Sequence, residues 1–243
     1  MKRQHTDEEP YSAGFMKRPR LGPCHKLDIV VGPPSNFEIF NVSLDLICEH
    51  SKHFRNLYCK GTIAYGIGKA IMLPNLTSEF FRVYLGRLED SSYDLSRAVR
   101  VVPEGVDPES AADEDQVLKQ LHRLCTWWRG ADFLEDHEFK NGIMDVLVDL
   151  DIERGWEILP KLAYLVAGEE MRDSGLRLWW VDCAAATLNE DIIDGFCGEL
   201  SKEIVVDLLK AQLRASKAED SSNRLRGAEQ YYEQDQRDAS GRP

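Results

Sequence analysis

The stretch from Asp28 to Phe54, DIVVGPPSNFEIFNVSLDLICEHSKHF, constrains the fold more than any other part of the chain. Asp28-Ile29-Val30-Val31 and Phe37-Glu38-Ile39-Phe40 are strand-like, and Gly32-Pro33-Pro34-Ser35-Asn36 between them is a turn preset by proline. Leu44, Ile47 and Cys48, then Phe54, Leu57 and Tyr58, keep helical spacing on either side of a break at Ser51. No grouping of nucleophile, base and acid occurs in the stretch. It builds a surface for other proteins rather than a pocket for a substrate.

The same reading continues downstream. Lys69-Ala70-Ile71-Met72-Leu73 is a third strand stopped by Pro74, and Thr77 caps a helix with Phe80, Phe81, Tyr84, Leu85 and Leu88 on one face. Residues 90–115, rich in Pro, Gly, Ser and acids, read as an exposed loop or insertion. A stripe at Val117, Leu118, Leu121, Leu124, Cys125 and Trp128 predicts a long helix, and Phe139, Ile143, Val146, Leu147 and Leu150 predict the next. Three more helices are expected at about 154–167, 174–188 and 201–214, the last two capped by Ser174 and Ser201. Strands followed by many helices make an α+β fold. The expected organisation is a disordered basic arm (1–26), a small three-stranded sheet flanked by helices (27–150, with the acidic insertion at about 90–115), an all-helical C-terminal extension (151–215) and a polar tail (216–243).

Composition narrows the function. Charged residues make up 30% of the 243 and hydrophobic ones 43%, ordinary for a globular protein. The net charge of −12 opposes direct binding to nucleic acid, which requires a basic face. Residues 1–27 carry a net +3, which leaves −15 on the rest, and residues 104–115 hold six acids without a base. No apolar run is long enough to span a bilayer, and the polar N-terminus lacks a secretory core, so an intracellular protein without a membrane partner is expected. Lys17-Arg18-Pro19-Arg20, with Lys2-Arg3 upstream, reads as a nuclear import signal and places the nucleus ahead of the cytoplasm. The six cysteines are widely spaced and predict thiols packed as small hydrophobes.

Chemical motifs fail on inspection. Cys48, His50, His53 and Cys59 are the candidate zinc ligands, yet Cys48 and His50 point about 200° apart on a helix, and no paired-ligand spacing supports a site. Gly66-Ile67-Gly68-Lys69 lacks both the leading glycine and the trailing hydroxyl of a phosphate loop. A G-x-S-x-G elbow does not occur. No catalytic residue, cofactor or metal is therefore assigned. Of the tandem tryptophans, Trp128 continues its helical stripe and Trp127 lies off it. Trp127 is expected to pack under the C-terminal helices; the competing reading is an exposed interface anchor.

Taken together, Phe40, Val42, Asp45, Leu46, Cys48, His50, Ser51, Phe54 and Arg55 resemble the F-x-V-H-K-D-L-L-C-x-H-S-x-x-F-R run of a BTB/POZ domain of the fungal type, with Ile47 at the second leucine. Ala131, Asp132, Leu134, Phe139, Asn141, Asp145 and Leu147 resemble a later signature of that family, and Ser174, Leu176, Arg177, Val181 and Asp182 another. The resemblance covers residues 27–215 in order. It implies a non-catalytic module for protein partners, itself among them, with two narrower versions: a substrate adaptor on a cullin scaffold, or a nuclear, transcription-associated regulator. Four departures stand out. Ser43-Leu44 replace the family's His-Lys pair, so Asp28 loses its basic partner. The loop CKGTIAYGIG at 59–68 has no acid of the kind cullin adaptors often carry. Glu89 replaces an aromatic, and residues 1–26 lack the apolar segment that strand-swapping members use.

Overall fold

The structure, a computed structural model, describes residues 26–60, 70–100, 114–150, 159–187, 200–217 and 228–233. Strand β1 (Lys26–Val31) pairs antiparallel with β2 (Glu38–Ser43), from Lys26 opposite Ser43 to Val31 opposite Glu38. The turn depends on Gly32, whose φ of +108° is open to glycine; a Cβ there would lie 2.5 Å from the Asn36 carbonyl oxygen. Strand β3 (Ile71–Leu73) runs parallel to β1 along its other edge, giving the order β2-β1-β3.

Two short helices follow β2: α1 (Leu44–His50) and α2 (Lys52–Cys59). Ser51 ends one and begins the other. It is fully buried; its Oγ accepts from the Phe54 amide at 3.3 Å and donates to the Leu134 carbonyl at 2.6 Å. One hydroxyl thus caps α2 and ties it to the far end of a helical hairpin. After β3, Thr77 caps α3 (Ser78–Glu89) through the Phe80 amide, as its position predicts.

The hairpin consists of α5 (Glu114–Phe133) and α6 (His137–Asp149), joined by three residues and capped by Asp136. Helices α7 (Leu159–Val166), α8 (Gly175–Thr187) and α9 (Lys202–Lys217) follow, with a 3-10 turn at Glu169–Met171 before α8. Ser174 caps α8 through the Arg177 amide and Ser201 caps α9 through the Ile204 amide. The chain is a mixed α+β protein: a small three-stranded sheet with several helices. Its buried residues form one continuous cluster from Leu27 on β1 to Tyr231. Among the described residues no helix is long and apolar enough to cross a membrane.

Two expectations are corrected, and the competing reading of Trp127 falls. Residues 90–115 do not read as loop throughout: Asp94 caps a short helix α4 (Leu95–Val99) whose Leu95 and Val99 are buried. Trp127 is not an exposed anchor; it is 1% exposed, as is Trp128, and Trp179 and Trp180 are fully buried. Nor does the polar segment after Ser216 lack a core face. A 3-10 turn at Ala228–Tyr231 seats Tyr231 in the core at 1% exposure. The basic arm 1–25, with Lys17, Arg18, Pro19 and Arg20, lies outside the described residues. So do Gly66–Lys69 and residues 104–113 of the acidic run.

Candidate interaction surface

Alternation along the strands sorts the sheet into two faces. Leu27, Ile29, Val31 and Val42 point inward, and Phe40 meets Phe81 edge-on with ring centroids 5.0 Å apart. The outer face is not the polar one that alternation usually gives. The register aligns Ile39, Val30 and Met72 in one row across all three strands. Ile39 is 60% exposed and Met72 56%, with Val30 shielded between them, and Phe37 beside the row is 53% exposed. Apolar side chains gathered on one exposed face, rather than scattered singly, mark an interaction surface. Among the described residues β2 and β3 are the edge strands on either side of it.

Polar groups frame the row. Asn41 donates to Asp28 at 2.7 Å, and Arg82 pairs with Glu38 at the other end of β2. Asp28 thus has a neutral amide for a partner. Of the two residues that replace the family's basic pair, Ser43 caps α1 and Leu44 is buried.

A second concavity, of about 650 Å³, lies between α5 and α7, with Trp127 and Leu162 in its wall. Its polar groups hold one another. His122 Nε2 is 2.8 Å from the Tyr164 hydroxyl, and Arg123 Nε is 2.7 Å from Glu79 Oε1 while its Nη1 donates to the Val99 carbonyl at 3.0 Å. These contacts occupy the side chains of His122, Tyr164, Arg123 and Glu79 in the wall.

The candidate ligands Cys48, His50, His53 and Cys59 do not come together. His50 Nδ1 lies 3.8 Å from Glu138, and His53 packs on Phe133 with centroids 4.8 Å apart. Burial pushes the Cys48 thiol up to about 11 and Cys125 up to about 12, and it raises Cys183 further. Such groups are thiols at neutral pH rather than the thiolates that attack or bind metal. Among the described residues no three His, Cys, Asp or Glu side chains gather as a metal would require.

The sheet row escaped the sequence reading because FEIF is apolar on both parities of the strand. That doubling was itself the signal, since a strand with one solvated face alternates. Lys140 escaped too: it is 2% exposed although its helical position is polar. No family model matches the chain, and no characterised protein or solved structure matches it.

Proposed function

We propose that this chain is a non-catalytic protein-interaction module of BTB/POZ type, acting by self-association or by recruiting a protein partner through the outer face of its sheet. The observation that carries the reading is that Ile39, Met72 and Phe37 stand at large exposure around the shielded Val30, on a backbone fixed by pairing on both sides of β1. A rigid apolar face needs little reordering on binding, so the burial it offers is retained as affinity. An Ile, Met or Phe side chain fully taken from water contributes roughly 1.5–3 kcal/mol, so the three exposed residues can form the centre of a standard interface.

The motif resemblance supplies the module type, and a three-stranded sheet packed against helices is what that type implies. A cullin scaffold is the partner to test first outside self-association, and a nuclear partner the next.

The test uses the full chain and its Ile39→Lys/Met72→Lys variant. Sedimentation velocity reads self-association, and calorimetric titration reads binding to a cullin N-terminal domain. The reading expects at least one association, weakened about a hundredfold or more in the variant while thermal unfolding stays within a few degrees, since both positions are exposed. An association that survives both substitutions would remove the sheet face from the account.

A further inference from the structure

Residues Ala228–Glu233 lie across α6 and α8; Tyr231 is buried in the core, and around it the segment makes a set of directed polar contacts. Asn141 reads the backbone of Glu233 both ways: its Nδ2 donates to the carbonyl at 3.3 Å and its Oδ1 accepts from the amide at 3.0 Å. Lys140, buried under the segment, donates to the Glu233 carboxylate and to Asp132 at 2.8 Å, with the Trp128 ring 4.9 Å away. His137 Nδ1 is 3.5 Å from the same Glu233 carboxylate. The Tyr232 hydroxyl donates to Asp145, and the Tyr231 hydroxyl donates to Asp182 at 3.1 Å. The main chain runs so close to the start of α8 that a Cβ at Gly175 would lie 1.8 Å from the Tyr231 carbonyl oxygen.

This is the grammar of peptide recognition. A side-chain amide clamps the backbone, a buried cation takes a carboxylate, two acids take two phenols, and a glycine admits the main chain. Asp132, Asn141, Asp145 and Asp182 are four of the six polar members of the two later motifs, and all four serve the site directly or through Lys140. The segment is joined to Lys217, the end of α9, only through residues 218–227. Ten residues of sequence thus join the segment covalently to α9, so it competes with any free peptide for the same groove.

We propose that the α6–α8 groove is a recognition site for a Tyr-Tyr-Glu peptide, filled in cis by residues 228–233 as a tethered ligand that exchanges with the same segment of a second copy of this chain. The site is separate from the sheet face and stands whether or not that face binds a partner.

The test is fluorescence anisotropy with a labelled peptide of residues 226–236 titrated into the full-length protein. In a release variant, Tyr231→Ala/Glu233→Ala, the groove is intact but its own ligand is weakened. The peptide is expected to bind this variant at least about tenfold more tightly than wild type, where the tethered segment competes. Adding Asn141→Ala, which removes the backbone clamp, or Gly175→Ala, which fills the main-chain seat, returns binding to the wild-type level or below. A release variant that melts cooperatively yet binds no better than wild type would overturn the proposal, because the segment would then be a fixed part of the core. Should that variant fail to fold, hydrogen exchange of the wild-type chain decides. Amides of 230–233 exchanging at least about tenfold faster than the protected amides of α6 and α8 support independent opening. Exchange at the same rate as those amides overturns it.

Discussion

At the scale of single residues, the fold is pinned by a few buried polar groups whose partners lie far away in sequence. Ser51 is the clearest. Replacing it with alanine removes the α2 cap and one of two hydrogen bonds to the buried Leu134 carbonyl, 83 residues on, which keeps only the His53 amide at 3.2 Å. Ser51→Ala is expected to cost about 1–3 kcal/mol in urea unfolding; a loss below about 0.5 kcal/mol would contradict the double role. Asp136 is the second. Burial holds its carboxyl above the ordinary value, against the pull of the Phe139 amide, the Tyr84 hydroxyl and the nearby His50. A carboxyl that binds its proton more tightly when folded favours the folded state at acid pH and loses that contribution as pH rises through its folded value. The stability of Asp136→Asn relative to wild type should therefore improve as pH rises from about 3.8 upward; urea midpoints across that range read it, and a relative decline would contradict the assignment. The Ser51 cap was legible in the sequence because Ser at a helix break is local information. Its bond to Leu134 was not, since that depends on where the α5–α6 hairpin docks.

Among the elements, α9 shows how one helix divides its work. Ile204, Leu208 and Ala211 face α8 and are buried, whereas Val206 and Leu209 are 46% and 58% exposed. Arg177 of α8, itself buried, reaches Asp207 at 2.8 Å and fixes the rotation of α9. Leu208→Ala should cost about 2–5 kcal/mol and Leu209→Ala no more than about 0.5 kcal/mol in thermal unfolding. Equal costs would mean that the helix is seated differently. Helical periodicity located α5, α6, α8 and α9 because each has one dominant apolar stripe. It underread α5, which buries Trp128 beside Lys140 of α6 and Trp127 in the wall shared with α7. A helix covered on two sides buries more than one stripe, so a residue off the dominant stripe, such as Trp127, is buried as well. Helix α4 was missed for a different reason: five residues with two buried positions are too short to show a period.

Over the whole molecule, the sheet supplies a stiff face and the helices supply the core that keeps it stiff. The three strands were readable from local pattern, but their order β2-β1-β3, with β3 parallel to β1, was not. The outward row was not, because an exposed apolar side chain looks the same in sequence as a buried one. Tyr231 was hidden by its surroundings: one core residue within a run of polar ones carries no pattern. The titration of Tyr232 extends this to the whole chain. Its hydrogen bond to Asp145, aided by burial and by the carboxylates of Asp145, Glu229 and Asp149, raises its phenol to about 12. The attachment of the C-terminal segment that depends on this bond is present below the ordinary tyrosine value near 10 and is lost as pH climbs through 12. Tyrosinate absorbance of wild type against Tyr232→Phe should show one late-titrating group missing from the variant.

The central claim is that the outer sheet face binds protein. Sedimentation velocity of the full chain beside Ile39→Lys/Met72→Lys, alone and with a cullin N-terminal domain, tests it most directly. The account predicts a complex in the wild type, with itself or with the scaffold, that the variant loses while remaining folded. A wild type that stays monomeric and unbound, or a variant that associates as well as its parent, would contradict it.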